Sequence, residues 1–181
     1  IKISALSART DAIDFEGSLR RLISAIAPIL EAASRHRVFV NFDMEQYALK
    51  ELTVELFCRA CEQYDFPAGL ALQAYLRESP ADAQRLIDWA RRKGRQVTVR
   101  LIKGAYWDYE VIHADEMGWP VPVWTEKRRT DAAYEWMTEQ FLAAMPRRPD
   151  EGGVKLALGT HNVRSLAHAL ALLEKYDLPP S

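Results

Sequence analysis

One strand-like run of the sequence contains a permanent positive charge. In QVTVRLIKG (residues 96–104), β-branched and apolar residues alternate on either side of Arg100. A guanidinium group stays protonated at physiological pH, so an arginine directed into a protein interior needs anionic or acceptor partners. Directly after it come a cation, a glycine and two aromatic residues: Lys103, Gly104, Tyr106 and Trp107. The run therefore predicts a buried strand that ends at the mouth of a binding site.

Polar residues occur in or after other predicted strands as well. They are Lys2, Asp43, Gln73, Thr125, Lys127, Thr160, His161 and Asn162. Asp43 is suited to be a general base, a metal ligand or the partner of Arg100, and His161 an acid, a base or a donor to a cofactor. Lys2 either keeps its ammonium in solvent or binds an anion inside. The Gln73 amide needs partners, from a ligand or from a neighbouring strand.

No motif in the sequence has the spacing of a metal site. HExxH, DxD and paired carboxylates are all absent, so we expect no bound metal. Cys58 and Cys61 form one CxxC inside a helical pattern, without a second pair or a histidine at ligand spacing. We therefore expect buried or half-buried thiols and a reducing, cytoplasmic compartment rather than a redox pair or half a zinc site.

Length and composition predict one ordinary soluble domain. The 181 residues carry 24 basic and 25 acidic side chains, a net charge of −1, so no field of one sign indicates nucleic acid. No apolar run has the length of a membrane span, and the chain does not open on a signal peptide. Because the first residue is Ile1 rather than Met, we expect a segment of a longer protein.

Strand-like and helical patterns alternate along the chain. Strands are predicted at 1–6, 37–44, 68–76, 96–104, 121–127 and 154–162, and helices at 17–36, 44–64, 79–94, 108–118, 130–145 and 164–176. In the helix at 79–94, Ser79 is the expected N-cap and Gly94 the expected stop. Strict alternation predicts an α/β fold with a parallel sheet, either doubly wound or a (β/α)8 barrel. The absence of GxGxxG and P-loop motifs, and polar residues at successive strand ends, favour the barrel, of which about six βα units are present.

Five segments carry a resemblance to a known family. VNFDMEQY, GLALQAYL, VRLIKGAYWDYE, VPVWTEKRRTDAAY and LGTHN resemble, in order and across essentially the whole chain, the proline dehydrogenase domain of the bacterial bifunctional proline utilization A flavoenzymes. The resemblance implies a distorted (β/α)8 barrel of the TIM type with non-covalent FAD. It also implies oxidation of L-proline to Δ1-pyrroline-5-carboxylate, hydride transfer to flavin N5, and electrons passed to a membrane quinone. Further implied partners are the aldehyde dehydrogenase domain of a parent chain and a peripheral contact with the inner membrane.

The resemblance assigns roles to individual residues. Lys2 would bind the proline carboxylate, Asp43 would organise the site, and Tyr106 would pack on the substrate. Arg100 would lie close to flavin N5, where it stabilises the electron-rich reduced ring and ties down Asp43. The remaining implied cofactor contacts are Met44, Gln73, Leu101, Ile102, Lys103, Gly104, Ala105, Trp107, Thr125, Lys127, Thr130, Thr160, His161 and Asn162.

The sequence also departs from the family pattern. Glu126 stands where a basic residue is usual, which would weaken the grip on the pyrophosphate. The family's last two strands and its final helix, with an arginine pair that clamps the substrate carboxylate, have no counterpart. We therefore expect a partial barrel domain over residues 1–181, and the alternative is a catalytically silent scaffold fragment. A third reading is an aldolase that uses Lys103 or Lys127 as a Schiff-base amine.

Overall fold

In a computed structural model that describes residues 1–179, the chain forms six α-helices and four β-strands, which alternate except that α4 and α5 are consecutive. The helices are Phe15–His36 (α1), Lys50–Gln63 (α2), Ser79–Lys93 (α3), Trp107–Met117 (α4), Lys127–Ala143 (α5) and Val163–Lys175 (α6). The strands are Val40–Phe42 (β1), Ala68–Gln73 (β2), Gln96–Ile102 (β3) and Gly153–Gly159 (β4). Two short 3₁₀ helices cover Ile3–Ala5 and Tyr47–Leu49. The chain divides into two compact units, Ile1–Ala71 and Leu72–Ser181.

The first unit packs helices α1 and α2 around a short parallel strand pair. Strand β1 pairs with β2 in the register Val40↔Ala68 to Phe42↔Leu70. Helix α1 starts where the Asp14 side chain accepts a hydrogen bond from the Gly17 N–H. Its apolar stripe is fully buried, at Leu19, Leu22, Ile26 and Leu30. This stripe supplies the hydrophobic stabilisation of the unit.

The second unit is built on a seven-residue parallel pairing of β3 with β4. The register runs from Gln96↔Gly153 to Ile102↔Gly159. Directly after β2, the Ala74 N–H donates to the Ile102 carbonyl at 2.9 Å and the Tyr75 N–H to the Lys103 carbonyl at 2.8 Å. The segment that follows β2 therefore lies beside the C-terminal end of β3. Helices α3 and α5 cover the strands with buried apolar side chains.

The predicted α/β organisation with parallel strand pairing is confirmed, and so are the six predicted helices to within a few residues, except that α2 begins at Lys50 rather than at residue 44. Gly94 ends α3 in the left-handed conformation, with φ of 61° and its N–H directed to the Ala90 carbonyl. The predicted thiol burial also holds, since Cys61 is buried and Cys58 half-buried. No helix within residues 1–179 combines the length and the apolar character needed to span a bilayer.

Two of the six predicted strands are wrong. Ile3–Ala5 form a 3₁₀ helix, and only Ile3 of residues 1–6 is buried, because Ser4 is held by hydrogen bonds to Glu45 rather than by a neighbouring strand. Residues 121–127 pair only through an isolated antiparallel bridge between Leu76 and Val123. Pro122 has no N–H to give to a ladder, which explains the absence of a strand there. The predicted N-cap is wrong as well, since Ser79 is the first helical residue and Glu78 the cap.

Candidate active site

The buried amide of Gln73 ties two chain segments together at the C-terminal end of the strands. Its Oε1 accepts a hydrogen bond of 3.1 Å from the Ala105 N–H, in the segment after β3. The Gln73 carbonyl accepts from the Ser79 hydroxyl at 2.6 Å, at the start of α3. The Gln73 side chain has no exposed surface. It therefore fixes the position of the segment 103–105 relative to the end of β2.

Gly104 allows the backbone to approach an aromatic ring. Its φ is 143°, a conformation that side chains disfavour, and a Cβ atom there would lie 2.4 Å from carbons of the Tyr75 ring. Burial, and next the charge of the nearby Glu110 carboxylate, raise the pKa of Tyr75 well above its ordinary value. Tyr75 thus stays neutral and forms an apolar floor under the segment 103–105.

An open cavity of about 300 Å³ lies beside this segment. Its lining consists of Tyr75, Lys103, Gly104, Trp107, Trp124, Thr125, Lys127 and Thr130. The Trp107 indole donates to the Trp124 carbonyl at 2.9 Å, which holds the two tryptophans together. The Trp124 indole nitrogen is buried and has no hydrogen-bond partner in the part of the chain described. A buried donor of this kind beside a cavity marks a position where a ligand acceptor would be stabilised.

Two lysines at the cavity share one carboxylate. Asp131 Oδ1 is 2.5 Å from Lys103 Nζ, and Asp131 Oδ2 is 2.6 Å from Lys127 Nζ. Burial alone would raise the pKa of Asp131, but the hydrogen bonds and charges of the two lysines outweigh it and lower that pKa. Lys103 Nζ also lies 5.6 Å from the ring centroid of Tyr134. The cavity rim therefore carries two ammonium groups and one carboxylate, a net charge of +1.

Arg100 differs from the expectation of a buried cation. It lies on the face of β3 opposite the buried Val99 and Leu101, as the alternation predicts, but its side chain is exposed. The prediction of burial is wrong because the face of β3 opposite the helices is less covered than the apolar alternation suggested. Arg100 has interaction partners within the chain.

In the first unit, the predicted residues surround the end of β1. The Asp43 N–H donates to the Ile1 carbonyl at 2.8 Å, and the Asn41 amide donates to Asp43 Oδ1 at 3.3 Å. Met44 is buried, whereas Lys2 is exposed. The buried Glu45 accepts hydrogen bonds from the Ser4 hydroxyl at 2.6 Å and the Ser4 N–H at 3.0 Å. The N-terminal segment is thereby held next to Asp43.

The predicted residues after β4 form the start of α6. The Thr160 hydroxyl oxygen accepts from the Asn162 N–H at 3.1 Å, and Asn162 Oδ1 accepts from the Ser165 N–H at 3.1 Å. Asn162 is therefore the N-cap of α6. His161 lies exposed between Thr160 and Asn162. The sequence predicted ligand contacts here and did not identify the capping role.

The cavity brings together six of the predicted cofactor contacts: Lys103, Gly104, Trp107, Thr125, Lys127 and Thr130. Gln73 and Ala105 lie directly next to them through their hydrogen bond. The sequence reasoning missed Tyr75, Trp124 and Asp131. The i to i+4 spacing of Lys127 and Asp131 in a predicted helix was an available signal for the ion pair. Nothing in the sequence pattern indicated that Lys103 joins it.

Glu126 holds two arginines at the start of α5. Its carboxylate accepts from Arg128 Nε at 2.7 Å and from Arg129 Nε at 3.0 Å. The guanidinium carbon of Arg129 lies 5.6 Å from the centroid of the Trp124 ring, which lines the cavity. Basic side chains are therefore present next to the site although the expected basic residue is replaced by Glu126.

A larger cavity of about 500 Å³ lies between β4 and α6. Its lining is apolar apart from Lys155 and includes Leu156, Leu158, Leu166 and Leu170. Lys155 alone among the described lining residues is polar, and one cation does not fix the orientation of a substrate, so the size of the cavity does not make it the active site. Residues 1–179 also contain no group of three or more His, Cys, Asp or Glu side chains arranged around a metal position.

The family model and the individual relatives that match this chain indicate the same family. The family described as Proline dehydrogenase matches residues 1–181. The bifunctional protein PutA of Rhizobium meliloti is 35% identical over 173 residues, covering 92% of this chain and 13% of that protein. Proline dehydrogenase 1 of Bacillus subtilis is 25% identical over 178 residues, covering 98% of this chain and 51% of that protein. The chain thus spans at most about half the length of these relatives.

Solved structures that resemble this chain come from the same family as its sequence relatives. Proline utilization A from Bdellovibrio bacteriovorus, inactivated by N-propargylglycine, matches 99% of this chain and 18% of its own, with a TM-score of 0.93 and 37% identity. The protein of the same name from Corynebacterium freiburgense matches 97% of this chain and 19% of its own, with a TM-score of 0.87 and 30% identity. These likenesses confirm the predicted fold class, a part of a TIM-type barrel. The chain belongs to the proline dehydrogenase family.

Proposed function

We propose that this chain forms the FAD- and proline-binding part of an enzyme that oxidises L-proline to Δ1-pyrroline-5-carboxylate. The proposal depends chiefly on one observation: six residues implied as cofactor contacts line a single cavity at the C-terminal end of β3. In barrel enzymes, active sites lie at this end of the strands. Family membership supports the same reaction. Because the chain covers a fraction of its relatives, the activity of the whole protein is included in the proposal.

The residues at the cavity fit part of an FAD molecule. Its phosphates are anionic, and two lysine ammonium groups line the cavity. The buried Trp124 indole N–H offers a donor that no described residue uses. Gly104 and Tyr75 both line the cavity, and a Cβ at Gly104 would collide with the Tyr75 ring, so the glycine preserves the shape of this wall. The cavity would hold one part of the cofactor, since only some of the implied contacts line it.

In the second unit, Thr125, Lys127 and Thr130 would bind phosphate or ribose, and Lys103, Gly104, Ala105 and Trp107 would line the cofactor. Gln73 would hydrogen-bond the pyrimidine edge of the isoalloxazine, and Arg100 would lie near N5 with Ile102 beside it. Bound FAD supplies the acceptor for the hydride that leaves the carbon next to the proline nitrogen. A positive charge at Arg100 would favour the electron-rich product of that transfer. Thr160, His161 and Asn162 would contact the remainder of the cofactor.

In the first unit, Lys2 would bind the substrate carboxylate through its ammonium group. Asp43 would orient charged groups around the substrate, and Met44 would flank the flavin. Tyr106, in the second unit, would pack on the proline ring. Each of these roles is one of binding or orientation, and neither calls for a reacting side chain. No residue is required to form a covalent intermediate.

The proposal extends to partners. The electrons would pass to a membrane quinone, which requires a peripheral contact of the cytoplasmic enzyme with the inner membrane. The PutA relative from Rhizobium meliloti is described as bifunctional. An aldehyde dehydrogenase domain in the same polypeptide would be consistent with such a second function. Both statements concern the full-length protein rather than the residues at the cavity.

An absorbance spectrum of the purified full-length protein tests the proposal. We expect a flavin band that bleaches when L-proline is added under anaerobic conditions. Arg100→Met should reduce flavin affinity and proline turnover together, whereas Arg92→Met, an exposed arginine at the end of α3, should change neither. A colourless, correctly folded protein that stays inert when FAD is added would contradict the proposal and favour the silent scaffold. Unchanged kinetics in Arg100→Met would remove Arg100 from the site.

A further inference from the structure

We propose that Asp131 is a positioning residue whose carboxylate holds the ammonium groups of Lys103 and Lys127 at fixed places on the cavity rim, where they bind an anionic phosphate ligand. The inference rests on the proposed function, in which that ligand is the phosphate portion of FAD. It assigns a role to an acidic residue that has no direct contact with the ligand. The role follows from the geometry of the three side chains.

The three groups come from two different elements. Lys103 follows β3, whereas Lys127 and Asp131 lie one turn apart at the start of α5. Each carboxylate oxygen of Asp131 contacts a different lysine, at 2.5 Å and 2.6 Å. Side-chain exposure is about one quarter for Lys103 and Asp131, at 24% and 25%, and 75% for Lys127. The carboxylate therefore acts as a bridge that fixes the distance between two cations at the cavity.

The charges around the bridge explain why a carboxylate is needed. Two ammonium groups at such short separation repel each other, more strongly where burial reduces solvent screening. Without Asp131, Lys103 has the Tyr134 ring as its other contact, and Lys127 is mostly exposed. Long lysine side chains would then disperse, and binding a ligand would cost the entropy of ordering them again. The further charged groups near Asp131 are Glu135 on α5 and Arg164 on α6, which pair with each other.

A substitution at Asp131 shows whether the positions of the two ammonium groups or the net charge of the rim governs FAD binding, because the two explanations predict opposite changes in FAD affinity. If positive charge alone governs binding, Asp131→Asn raises the net charge of the rim and tightens FAD binding. If position governs it, the same change weakens FAD binding. We expect the affinity of the cofactor-free, full-length protein for FAD to fall about tenfold or more, measured by isothermal titration calorimetry. Riboflavin, which lacks phosphate, should bind equally well to both proteins.

Two further variants make the experiment decisive. Asp131→Glu keeps the charge but lengthens the side chain. A positional role therefore predicts weaker FAD binding, whereas a charge role predicts unchanged FAD affinity. Glu135→Gln is the matched control, since Glu135 lies one turn further along α5, is similarly buried at 20% exposure, and pairs with Arg164 away from the cavity. Its ratio of FAD to riboflavin affinity should equal that of the unmodified protein. Thermal unfolding of each variant verifies that the fold is intact.

The outcomes separate this inference from the proposed function. If the unmodified protein binds FAD and Asp131→Asn matches Glu135→Gln or binds FAD more tightly, the positioning role is overturned while the proposed function stands. If Asp131→Asn loses affinity for FAD and riboflavin alike, the loss is general and the positioning role is also overturned. If the unmodified protein binds neither flavin, the proposed function fails and this inference fails with it. Selective loss of FAD affinity supports both.

Discussion

The Oε1 atom of Gln73 accepts a hydrogen bond of 3.1 Å from the backbone N–H of Ala105. One fully buried side chain at the end of β2 thus holds the segment that follows β3. The same segment carries Lys103 and Gly104, which line the cavity. The stability of the fold and the shape of the candidate site are therefore coupled at Gln73.

Replacing this amide should destabilise the protein. Gln73→Leu leaves the Ala105 N–H without its partner in a partly buried position, which costs about 1–3 kcal/mol of the free energy of unfolding. Urea denaturation followed by circular dichroism measures the loss. Gln84→Leu is the control, because Gln84 lies exposed on α3 and contacts only Asp88 among the hydrogen bonds identified for it. Equal stability of Gln73→Leu and the unmodified protein would show that the hydrogen bond from the Ala105 N–H to Gln73 does not stabilise the fold.

Gly104 should tolerate no side chain. Gly104→Ala introduces both an unfavourable φ and a collision with the Tyr75 ring, at a Cβ separation of 2.4 Å. Gly94→Ala adds a carbon with nothing within 4 Å of it, at a φ of 61° that side chains tolerate better than the φ of 143° at Gly104. We expect about 1 kcal/mol of destabilisation at Gly94 and a further ~1–3 kcal/mol at Gly104 from overpacking together with the less accessible backbone conformation. Chemical denaturation of the two variants side by side measures the difference, and similar losses would show that Tyr75 moves away freely.

Acid should remove the contribution of the Asp131 ion pairs. The pKa of Asp131 is lowered in the folded protein, so the ionised carboxylate stabilises the fold. That stabilisation is complete above the unfolded value of about 4 and is lost as pH falls through the lowered pKa. The free energy of unfolding of the unmodified protein should exceed that of Asp131→Asn at pH 7 by about 1 kcal/mol. The difference should shrink below pH 4, and a constant difference from pH 7 to pH 2 would contradict the assignment.

Alkali should destabilise the fold through a buried phenol. Burial raises the pKa of Tyr134 to about 12, while its hydroxyl donates to the Leu101 carbonyl at 3.3 Å. The neutral phenol is favoured in the folded state, so its contribution is complete below the unfolded value of about 10 and is lost as pH rises through 12. Tyr134→Phe should shift the midpoint of alkaline unfolding upward, as followed by far-ultraviolet circular dichroism. Tyr109→Phe, at an exposed tyrosine on α4, should leave that midpoint unchanged.

Periodicity and the glycine stop of α3 predicted most of the helical framework. Helix α1 has a long apolar stripe, and α3 ends at Gly94 as its sequence indicates, because both signals lie within the helix's own stretch of sequence. The strands were less predictable. Residues 1–6 alternate like a strand, yet Ser4 bonds to Glu45, and a contact across 41 positions has no local signature.

The candidate site also contains both residues that could be predicted from the sequence and residues that could not. Polar residues at strand ends were visible in the sequence, and the structure places several of them at one cavity. The bridge at Asp131 was not predicted, because Lys103 lies 28 positions away and meets it only through the packing of α5 against β3. The exposure of Arg100 depends on what covers the opposite face of β3, which alternation does not specify.

Asn162 shows how capping a helix also orients the rest of a side chain. Its oxygen accepts from the Ser165 N–H at the start of α6, so the two amide hydrogens are directed away from the helix cap. Capping therefore also fixes the direction of a hydrogen-bond donor, which under the proposed function would face the cofactor. Unwinding of the first turn of α6 would therefore remove the fixed orientation of the Asn162 amide as well as the helical structure.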